Sequence, residues 1–302
     1  MKLPVTMQIL ERGWLSSNNV LFDGHAGTAL VDSGYVTHAP QTIALVAHYL
    51  QERPLDRLIN THLHSDHCGG NAALQRAWAC RTLIPAAEAE KVRAWDEDAL
   101  SYHATGQECP RFGFDGTIAP GDLIELGGMD WQVLGAPGHD PHSVMLYCPQ
   151  ERILISADAL WENGFGVIFP ELAGEPGFAE TRATLELIET LDVRLVIPGH
   201  GAPFTEVRAA LDKAFSRIDY LAADPLRNAQ NGMKVLLKFL LLERQRIALA
   251  DVPDLLAGIP LIAIVNQRYL HLTEEQLAQW TIDRLVRAGA AGIQGGALVN
   301  RD

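Results

Sequence analysis

The run His62-x-His64-x-Asp66-His67 brings three imidazoles and one carboxylate together in six consecutive residues. In an extended segment, residues two apart point to the same side, so His62 and His64 can ligate one metal ion together. Asp66 and His67 lie further along, where the chain turns toward a predicted helix, and they face a second position. Imidazole and carboxylate are the ligands that zinc prefers where thiolates are absent. The run therefore predicts a metal site.

Three later polar residues complete this set, and each follows a predicted strand. His139 ends a Pro-Gly-His sequence, Asp158 follows the apolar stretch 153–155, and His200 ends a second Pro-Gly-His sequence. Strand ends of one sheet system lie side by side, so these loops can converge on a single edge. With the first run, they supply five histidines and two aspartates, which is enough for two metal ions.

In type, order and context, these seven residues resemble the ligand pattern of the metallo-β-lactamase fold superfamily, over about residues 5–205. The resemblance implies two divalent metal ions, zinc or alternatively iron or manganese, with a metal-bridging hydroxide as the nucleophile. It implies that Asp66 also orients the water or accepts its proton, as a catalytic residue. It assigns His62, His64 and His139 to the first metal, Asp66, His67 and His200 to the second, and Asp158 to the bridge between them.

Substrate contacts are expected from residues that neighbour these positions in the sequence. Trp161 and Asn163 follow Asp158 closely and are predicted to border the pocket, although packing within their own loop is an alternative. His142 follows His139 by three residues and is expected behind the ligands or in the pocket wall.

The elements that must position these residues alternate between strands and helices. Apolar alternation and turn residues predict strands at 5–10, 18–22, 28–31, 57–60, 122–126, 131–135, 144–147, 153–155 and 194–197. Helical spacing of apolar residues predicts helices at 40–51, 69–79, 86–102 and 178–191. This order suits two packed sheets with helices outside them. The expected fold class is α/β, a four-layer αββα sandwich of the metallo-β-lactamase type over residues 1–205.

The character of the chain changes over residues 206–302, which are predicted to form a second, helical domain. Helices are expected at 207–221, 233–246, 251–257 and 274–288, followed by a hairpin around Gly295-Gly296. Three helices and a terminal hairpin resemble a winged-helix module, while a plain helical cap is an equal alternative. The apolar stretch 260–270 fits neither interpretation.

Composition limits the partners and the compartment. The chain has 302 residues and a net charge of −13, which disfavours nucleic acids and anionic lipids. Residues 208–302 alone carry 12 basic and 10 acidic side chains. No apolar run is long enough to span a membrane, the first residues lack a signal-peptide pattern, and the four cysteines are scattered. The expectation is a reduced cytoplasmic protein with a small-molecule substrate, and a homo-oligomer is left open.

The resemblance leaves several reactions open, of which ester or thioester hydrolysis of a small acyl substrate is favoured. Glyoxalase-II-like thioesterases share the pattern from Thr61 to Asn71 but differ after Asp158. Lactonases share the ligands without the C-terminal tail, and lactamase-β-like-2-like proteins, which cleave single-stranded RNA, share a winged-helix tail. From other classes, an iron-dependent persulfide dioxygenase and a non-catalytic metal-binding regulatory protein remain as alternatives.

Overall fold

The first sheet is mixed and contains six strands in sequential order. A computed structural model describes residues 2–51 and 53–301 of the chain. The strands are β1 (Met7–Leu10), β2 (Asn19–Gly24), β3 (Gly27–Val31), β4 (Arg57–Ile59), β5 (Arg81–Pro85) and β6 (Gly116–Ile118). The pairs β1–β2 and β2–β3 are antiparallel, and β3 to β6 run parallel to one another. The sequence patterns did not predict β5 and β6.

The second sheet has five strands in the order β11-β10-β9-β8-β7. Its strands are β7 (Leu123–Leu126), β8 (Met129–Gly135), β9 (Val144–Cys148), β10 (Ile153–Ala157) and β11 (Leu195–Pro198). Only β10 and β11 are parallel, while the other pairs are antiparallel. The carboxyl ends of β10 and β11 therefore lie side by side at one edge, as the placement of Asp158 and His200 requires.

Within residues 2–51 and 53–200, seven helices accompany the two sheets. They are α1 (Ala39–Leu50), α2 (Ser65–Cys68), α3 (Asn71–Trp78), α4 (Ala89–Ala94), α5 (Tyr102–Thr105), α6 (Phe169–Ala173) and α7 (Phe178–Thr190), with 3₁₀ turns at Val36–His38 and Ala86–Glu88. The continuous helix expected over 86–102 is wrong, because the chain leaves α4 through Trp95 in a left-handed conformation with φ of 53°. That conformation caps a helix and cannot continue it.

Alternating side chains sort the sandwich into four layers. Val20 and Val31 point into the core shared by the two sheets, whereas Leu21 and Leu30 pack with Val46 of α1 on the outer face of the first sheet. On the second sheet the same alternation turns one set inward and the other toward α7 and toward α8 (Val207–Ala222). The expected αββα sandwich is confirmed, since each sheet buries both of its faces.

The C-terminal part has a separate apolar core. It contains α9 (Pro225–Arg244), β12 (Arg246–Ala248), α10 (Val252–Ala257), α11 (Pro260–Val265), α12 (Glu274–Arg287), β13 (Ala291–Gln294) and β14 (Ala297–Asn300), with a 3₁₀ turn at Leu249–Asp251 and a π-helix at Asn266–Leu270. The last three strands form a sheet in the order β12-β14-β13. A helical C-terminal region is confirmed, and it also carries this small sheet. The winged-helix and helical-cap interpretations stay predictions.

The helix α8 connects the two parts. Its buried residues, among them Leu211 and Ile218, belong to the outer core of the sandwich rather than to the C-terminal core. Asp224 then caps α9 by accepting a hydrogen bond from the backbone N–H of Leu226, and Pro225 occupies the first turn. The domain boundary at residue 206 stays a prediction.

Within residues 2–51 and 53–301, no individual helix has both the length and the apolar character needed to cross a membrane. One bent pair, Leu249–Ala257 with Pro260–Leu270, reaches that length and composition jointly across an 83° bend.

Candidate metal centre

Three imidazoles from two loops converge at the end of β4. The Nε2 atom of His62 lies 3.1 Å from Nδ1 of His64, which in turn lies 2.8 Å from Nε2 of His139. His139 donates from Nδ1 to the carbonyl oxygen of Val167 at 2.5 Å, so its Nε2 atom is directed toward the other two rings. The three ring nitrogens lie within 4.8 Å of one another, which fits three ligands of one cation.

A second set of donors lies beside the first. Nε2 of His200 is 3.0 Å from Oδ2 of Asp66, and the side chain of His67 is fully buried. The Nε2 atom of His67 has no hydrogen-bond partner among the described residues. A buried polar atom without a partner is costly unless something else satisfies it. This orphaned nitrogen, together with a carboxylate and a second imidazole, fits a second metal ion.

Asp158 lies between the two sets. Its Oδ2 atom is 3.2 Å from Nε2 of His139, and its Oδ1 atom is 3.5 Å from Nε2 of His67 and 3.9 Å from Nε2 of His200. Each oxygen therefore faces a different set of imidazoles. The seven residues singled out by the sequence pattern are brought together, and a carboxylate in this position can contact two cations at once.

The polypeptide delivers these groups from the ends of strands in both sheets. His62 and His64 follow β4, and α2 carries Asp66 and His67. The later three residues follow β8, β10 and β11 of the second sheet, namely His139, Asp158 and His200. Backbone hydrogen bonds join the sheets at this edge, because the N–H of Val144 donates to the carbonyl oxygen of Thr61 at 2.9 Å.

Gly199 allows the β11 loop to approach the carboxylate of Asp158. A Cβ atom at position 199 would lie 2.2 Å from Oδ1 of Asp158 and 3.0 Å from Cε1 of His67. Both distances are far inside van der Waals contact. Glycine is therefore required here by the closeness of the donors to the backbone.

Asp32 holds His67 from behind. The Nδ1–H group of His67 donates to Oδ2 of Asp32 at 2.8 Å, while Thr61 donates its backbone N–H to Oδ1 at 2.9 Å and its hydroxyl to Oδ2 at 2.8 Å. Carboxylates in this position fix the ring orientation of a ligating histidine and raise its basicity. The sequence analysis missed Asp32, although a buried Asp directly after the strand β3 was a usable signal.

Burial and mutual charge set the protonation of the donors. Burial, with the nearby rings of His67 and His64, holds the pKa of His62 well below its usual value, and burial beside His64 lowers the pKa of His139 to about 4. For Asp158, burial would raise the pKa, but the charges of His67 and His200 outweigh it and lower the pKa. The first set is thus neutral imidazole and the intervening carboxylate is ionised, which is the state that binds metal ions.

The pKa of His67 shifts in the opposite direction. Burial would lower its pKa, but the negative charges of Asp158 and Asp32 raise the pKa well above its usual value. The ring therefore lies in a strongly negative environment. Such an environment favours a cation at this position, whether it is a proton or a metal ion.

A pocket of about 520 Å³ opens from the donors toward the C-terminal part. We call it the reaction pocket. Its floor includes His64, Asp66, Asp158 and His200, and its walls include aromatic and aliphatic side chains from both parts of the chain, among them Trp14, Trp161, Phe165, Phe169, Val235, Phe239 and Leu242. A mostly apolar cleft with convergent polar groups at one end is typical of a small-molecule site.

The three substrate contacts expected from sequence have different surroundings. Trp161 lines the reaction pocket, and its indole N–H donates to Oδ1 of Asp158 at 3.2 Å. Asn163 is exposed and accepts a hydrogen bond from Lys213 at 2.7 Å, outside the pocket wall. His142 contacts the buried Glu88 and also lies outside the wall. The structure therefore brings only Trp161 to the pocket.

Trp14 is a pocket residue that sequence reasoning missed. Its ring stacks on His200 with centroids 5.6 Å apart and planes 6° apart, and it meets Trp161 edge-on at 5.5 Å. It is 56% exposed. Trp14 lies 186 positions before His200 in the chain, so no local pattern could connect the two.

The sequence profile of the metallo-beta-lactamase superfamily matches residues 12–200. This chain belongs to the metallo-beta-lactamase superfamily. The matched segment contains all seven proposed metal donors, and it also includes Trp14.

Curated relatives in this superfamily include hydroxyacylglutathione hydrolases. That of Hyphomonas neptunium is 30% identical over 164 residues, which are 50% of this chain and 57% of the relative. That of Nitrobacter winogradskyi is 31% identical over 155 residues, covering 47% and 53% respectively. The chain thus spans little more than half the length of the curated relatives it matches.

Two solved structures share the fold along nearly the full length of this chain. A metallo-beta-lactamase family protein from Thermus thermophilus superposes with a TM-score of 0.59 at 19% identity, covering 99% of this chain and 100% of that one. A beta-lactamase domain protein from Burkholderia ambifaria gives a TM-score of 0.59 at 21% identity, covering 100% and 94%. Both comparisons therefore extend into the C-terminal part of the chain.

Proposed function

We propose that this chain is a metal-dependent hydrolase that cleaves an ester or thioester bond of a small acyl substrate. One observation carries the proposal: two sets of histidine and aspartate donors share Asp158 and face a single reaction pocket. The ions are two divalent metals, zinc first, with iron or manganese as alternatives. The proposed ligands are His62, His64 and His139 for one ion, Asp66, His67 and His200 for the other, and Asp158 for both.

When bound, the two ions supply a Lewis acid for the acyl oxygen and lower the pKa of water toward neutrality. The residues of the chain then position the reactants. Asp66 lines the reaction pocket with its Oδ2 held by His200, so it can orient the attacking water and accept its proton. Burial would raise the pKa of Asp66, but its hydrogen bond from His200 and the charge of His67 lower it, which keeps the carboxylate ionised.

The apolar walls favour an acyl group over a highly charged reacting end. Phe169 and Trp161 flank the donors, and the rings of His64 and Phe169 have centroids 5.2 Å apart. Such a wall excludes water from the acyl group and strengthens the electrostatic contacts around the scissile bond. The names of the curated relatives, hydroxyacylglutathione hydrolases, support a thioester as the bond cleaved.

The test is a substrate panel applied to purified protein of measured metal content. The panel contains acyl esters, acyl thioesters including a hydroxyacylglutathione, lactones and a single-stranded RNA. We expect thioester or ester cleavage that is lost with the metal and restored by zinc. Oxygen uptake on glutathione persulfide by protein holding one iron per chain, without any hydrolysis, would replace the proposal with the dioxygenase alternative. Metal-loaded protein that cleaves nothing would favour the non-catalytic alternative.

A further inference from the structure

A second pocket, of about 340 Å³, lies between α8, α9 and α12. We call it the basic pocket. On α9 it is lined by Arg227, Asn231 and Lys234, which are spaced by four and three residues and therefore lie on one helix face. Arg217 projects into it from α8 and Arg284 from α12. Three helices thus direct four cations at one space.

Most of the positive charge in the basic pocket is not balanced by carboxylates of the described residues. No Asp or Glu lines the pocket, and Arg217, Lys234 and Arg284 form no ion pair within the described ranges 2–51 and 53–301. Only Arg227 has a carboxylate partner there, Asp224 at 3.4 Å. Like charges held together without a counter-ion oppose folding, so an external anion is the natural complement.

Partial burial makes these uncompensated positive charges more unfavourable. Arg217 and Lys234 are half-buried, and burial lowers the pKa of each. The charges of Arg217 and Arg284 lower the pKa of Lys234 further. A bound anion would relieve this repulsion and form charge-assisted hydrogen bonds with donors that the protein leaves unused.

Two aromatic rings flank the cations. Tyr220 is 57% exposed, with the guanidinium of Arg227 over its ring at 3.9 Å, and Arg284 lies 5.3 Å from the ring centroid of Trp280. Aromatic faces and guanidinium planes are surfaces on which nucleobases stack. The basic pocket therefore combines cations that suit a phosphate group with aromatic and guanidinium faces that suit a flat ring.

The basic pocket adjoins the reaction pocket. Arg217 and Asn231 line both of them. The guanidinium of Arg217 lies 5.0 Å from the ring of Phe165, which is also part of the reaction-pocket wall. One elongated molecule can therefore place its reacting bond at the metal donors and its other end among the cations.

We propose that the basic pocket binds the phosphate-bearing nucleotide end of an acyl thioester substrate. This assignment rests on the proposed hydrolase function and names the carrier of the acyl group. Glutathione fits less well, because its ammonium group would lie among four cationic side chains and no carboxylate of the described residues lines the pocket to balance the charge. RNA also fits less well, because a chain of net charge −13 repels a long phosphate backbone while a local cluster still accepts a small polyanion.

Binding can be measured without turnover. Calorimetric titration of the full-length, metal-loaded protein with coenzyme A and with adenosine 3′,5′-bisphosphate is expected to give saturable binding. The double variant Lys234→Gln, Arg284→Gln should raise Kd for both probes by at least about tenfold, because two charge-assisted contacts are lost. Arg244→Gln, at the far end of α9 and outside the pocket, is the matched control and should leave Kd unchanged. Equal thermal melting of the variants checks the fold.

Several results would overturn the assignment. The first is that neither nucleotide binds, and the second is that the double variant binds them as tightly as the unchanged protein. The third is that glutathione or a single-stranded RNA binds through Lys234 and Arg284 while the nucleotides do not bind. Nucleotide binding without hydrolysis of any thioester would leave a nucleotide site but remove its role as the carrier end. Thioester hydrolysis without nucleotide binding would support the proposed hydrolase function and contradict the proposed role of the basic pocket.

Discussion

The indole N–H of Trp161 donates a hydrogen bond to Oδ1 of Asp158, the carboxylate that faces both donor sets, over 3.2 Å. The same oxygen is 3.5 Å from Nε2 of His67. Trp161 thus fixes the rotation of the one side chain on which both proposed metal positions depend. A pocket-wall residue is in this way also a support for the ligands.

Trp161→Phe should keep the apolar wall but remove the hydrogen bond to Oδ1 of Asp158. We expect metal affinity to fall by about tenfold, the lower end of the range for residues that support ligands. The measurement is competition against a chromogenic chelator. Trp95→Phe is the control, because its indole N–H bonds Glu97 on an exposed surface. Similar affinity losses in both variants would show that the hydrogen bond to Asp158 has no special part.

Asp32→Asn should weaken the second donor set. The amide would bring an N–H₂ group among donors that now share a carboxylate, and His67 would lose its negative partner. We expect metal affinity to drop by about 10–100-fold. Asp56→Asn is the matched control, since Oδ2 of Asp56 accepts from Thr28 at 2.8 Å in the same sheet, away from the metal donors. Unchanged metal content in Asp32→Asn would contradict the prediction.

His64→Ala and His142→Ala should separate a ligand from a neighbour. His64 is in direct contact with His139, whereas His142 is bonded to Glu88 outside the reaction pocket. We expect the first variant to lose metal and all turnover, and the second to keep most of its metal, as measured by elemental analysis. If the two lost metal equally, the assignment of His64 would be wrong.

Gly199→Ala should damage the site from the backbone side. The new methyl group would meet Asp158 at 2.2 Å, so either the carboxylate or the β11 loop must move. We expect a stability loss of about 1–3 kcal/mol together with reduced metal content. Gly113→Ala, where a Cβ meets no atom within 4 Å, is the control. A Gly199→Ala protein with full metal content would show that the loop relaxes freely.

Removal of the metal should destabilise the whole sandwich. The donors come from both sheets, so bound ions join them at one edge. A ligand at about 100 times its Kd adds about 2.7 kcal/mol of stability, and since each kcal/mol shifts Tm by about 2–4 °C in a domain of this size, we expect chelation to lower Tm by about 5–10 °C. Calorimetry before chelation, after it, and after zinc is restored provides the measurement. A metal-free protein with unchanged Tm would contradict this coupling.

The sequence predicted much of the frame because the frame obeys local rules. Short apolar runs bounded by turn residues, such as 20–22 and 29–31, identified strands, and polar residues after strands identified the donors. Strand prediction failed where the sequence showed neither a clear apolar run nor an alternating pattern. β5 ends in Pro85, and β6 is the short Gly-Thr-Ile segment, so neither shows an alternating pattern.

The surroundings of the donors were harder to predict because they depend on contacts between distant segments. Asp32 meets His67 across 35 residues, and Trp14 meets His200 only after the second sheet has packed on the first. The left-handed backbone at Trp95, which ended a predicted helix, likewise depends on its environment, where its ring packs edge-on against Phe112 at 5.4 Å. Such features follow from tertiary packing and not from periodicity.

The sandwich and the C-terminal part both contribute walls to the reaction pocket. The donors and Trp161 belong to the sandwich, whereas Val235 and Phe239 lie on α9 and Ala290 follows α12. Mutation can therefore alter the distant wall while every donor keeps its place. The proposed metal donors and the distant wall can therefore vary independently in sequence, so the proposed reaction and the choice of its substrate can be altered separately.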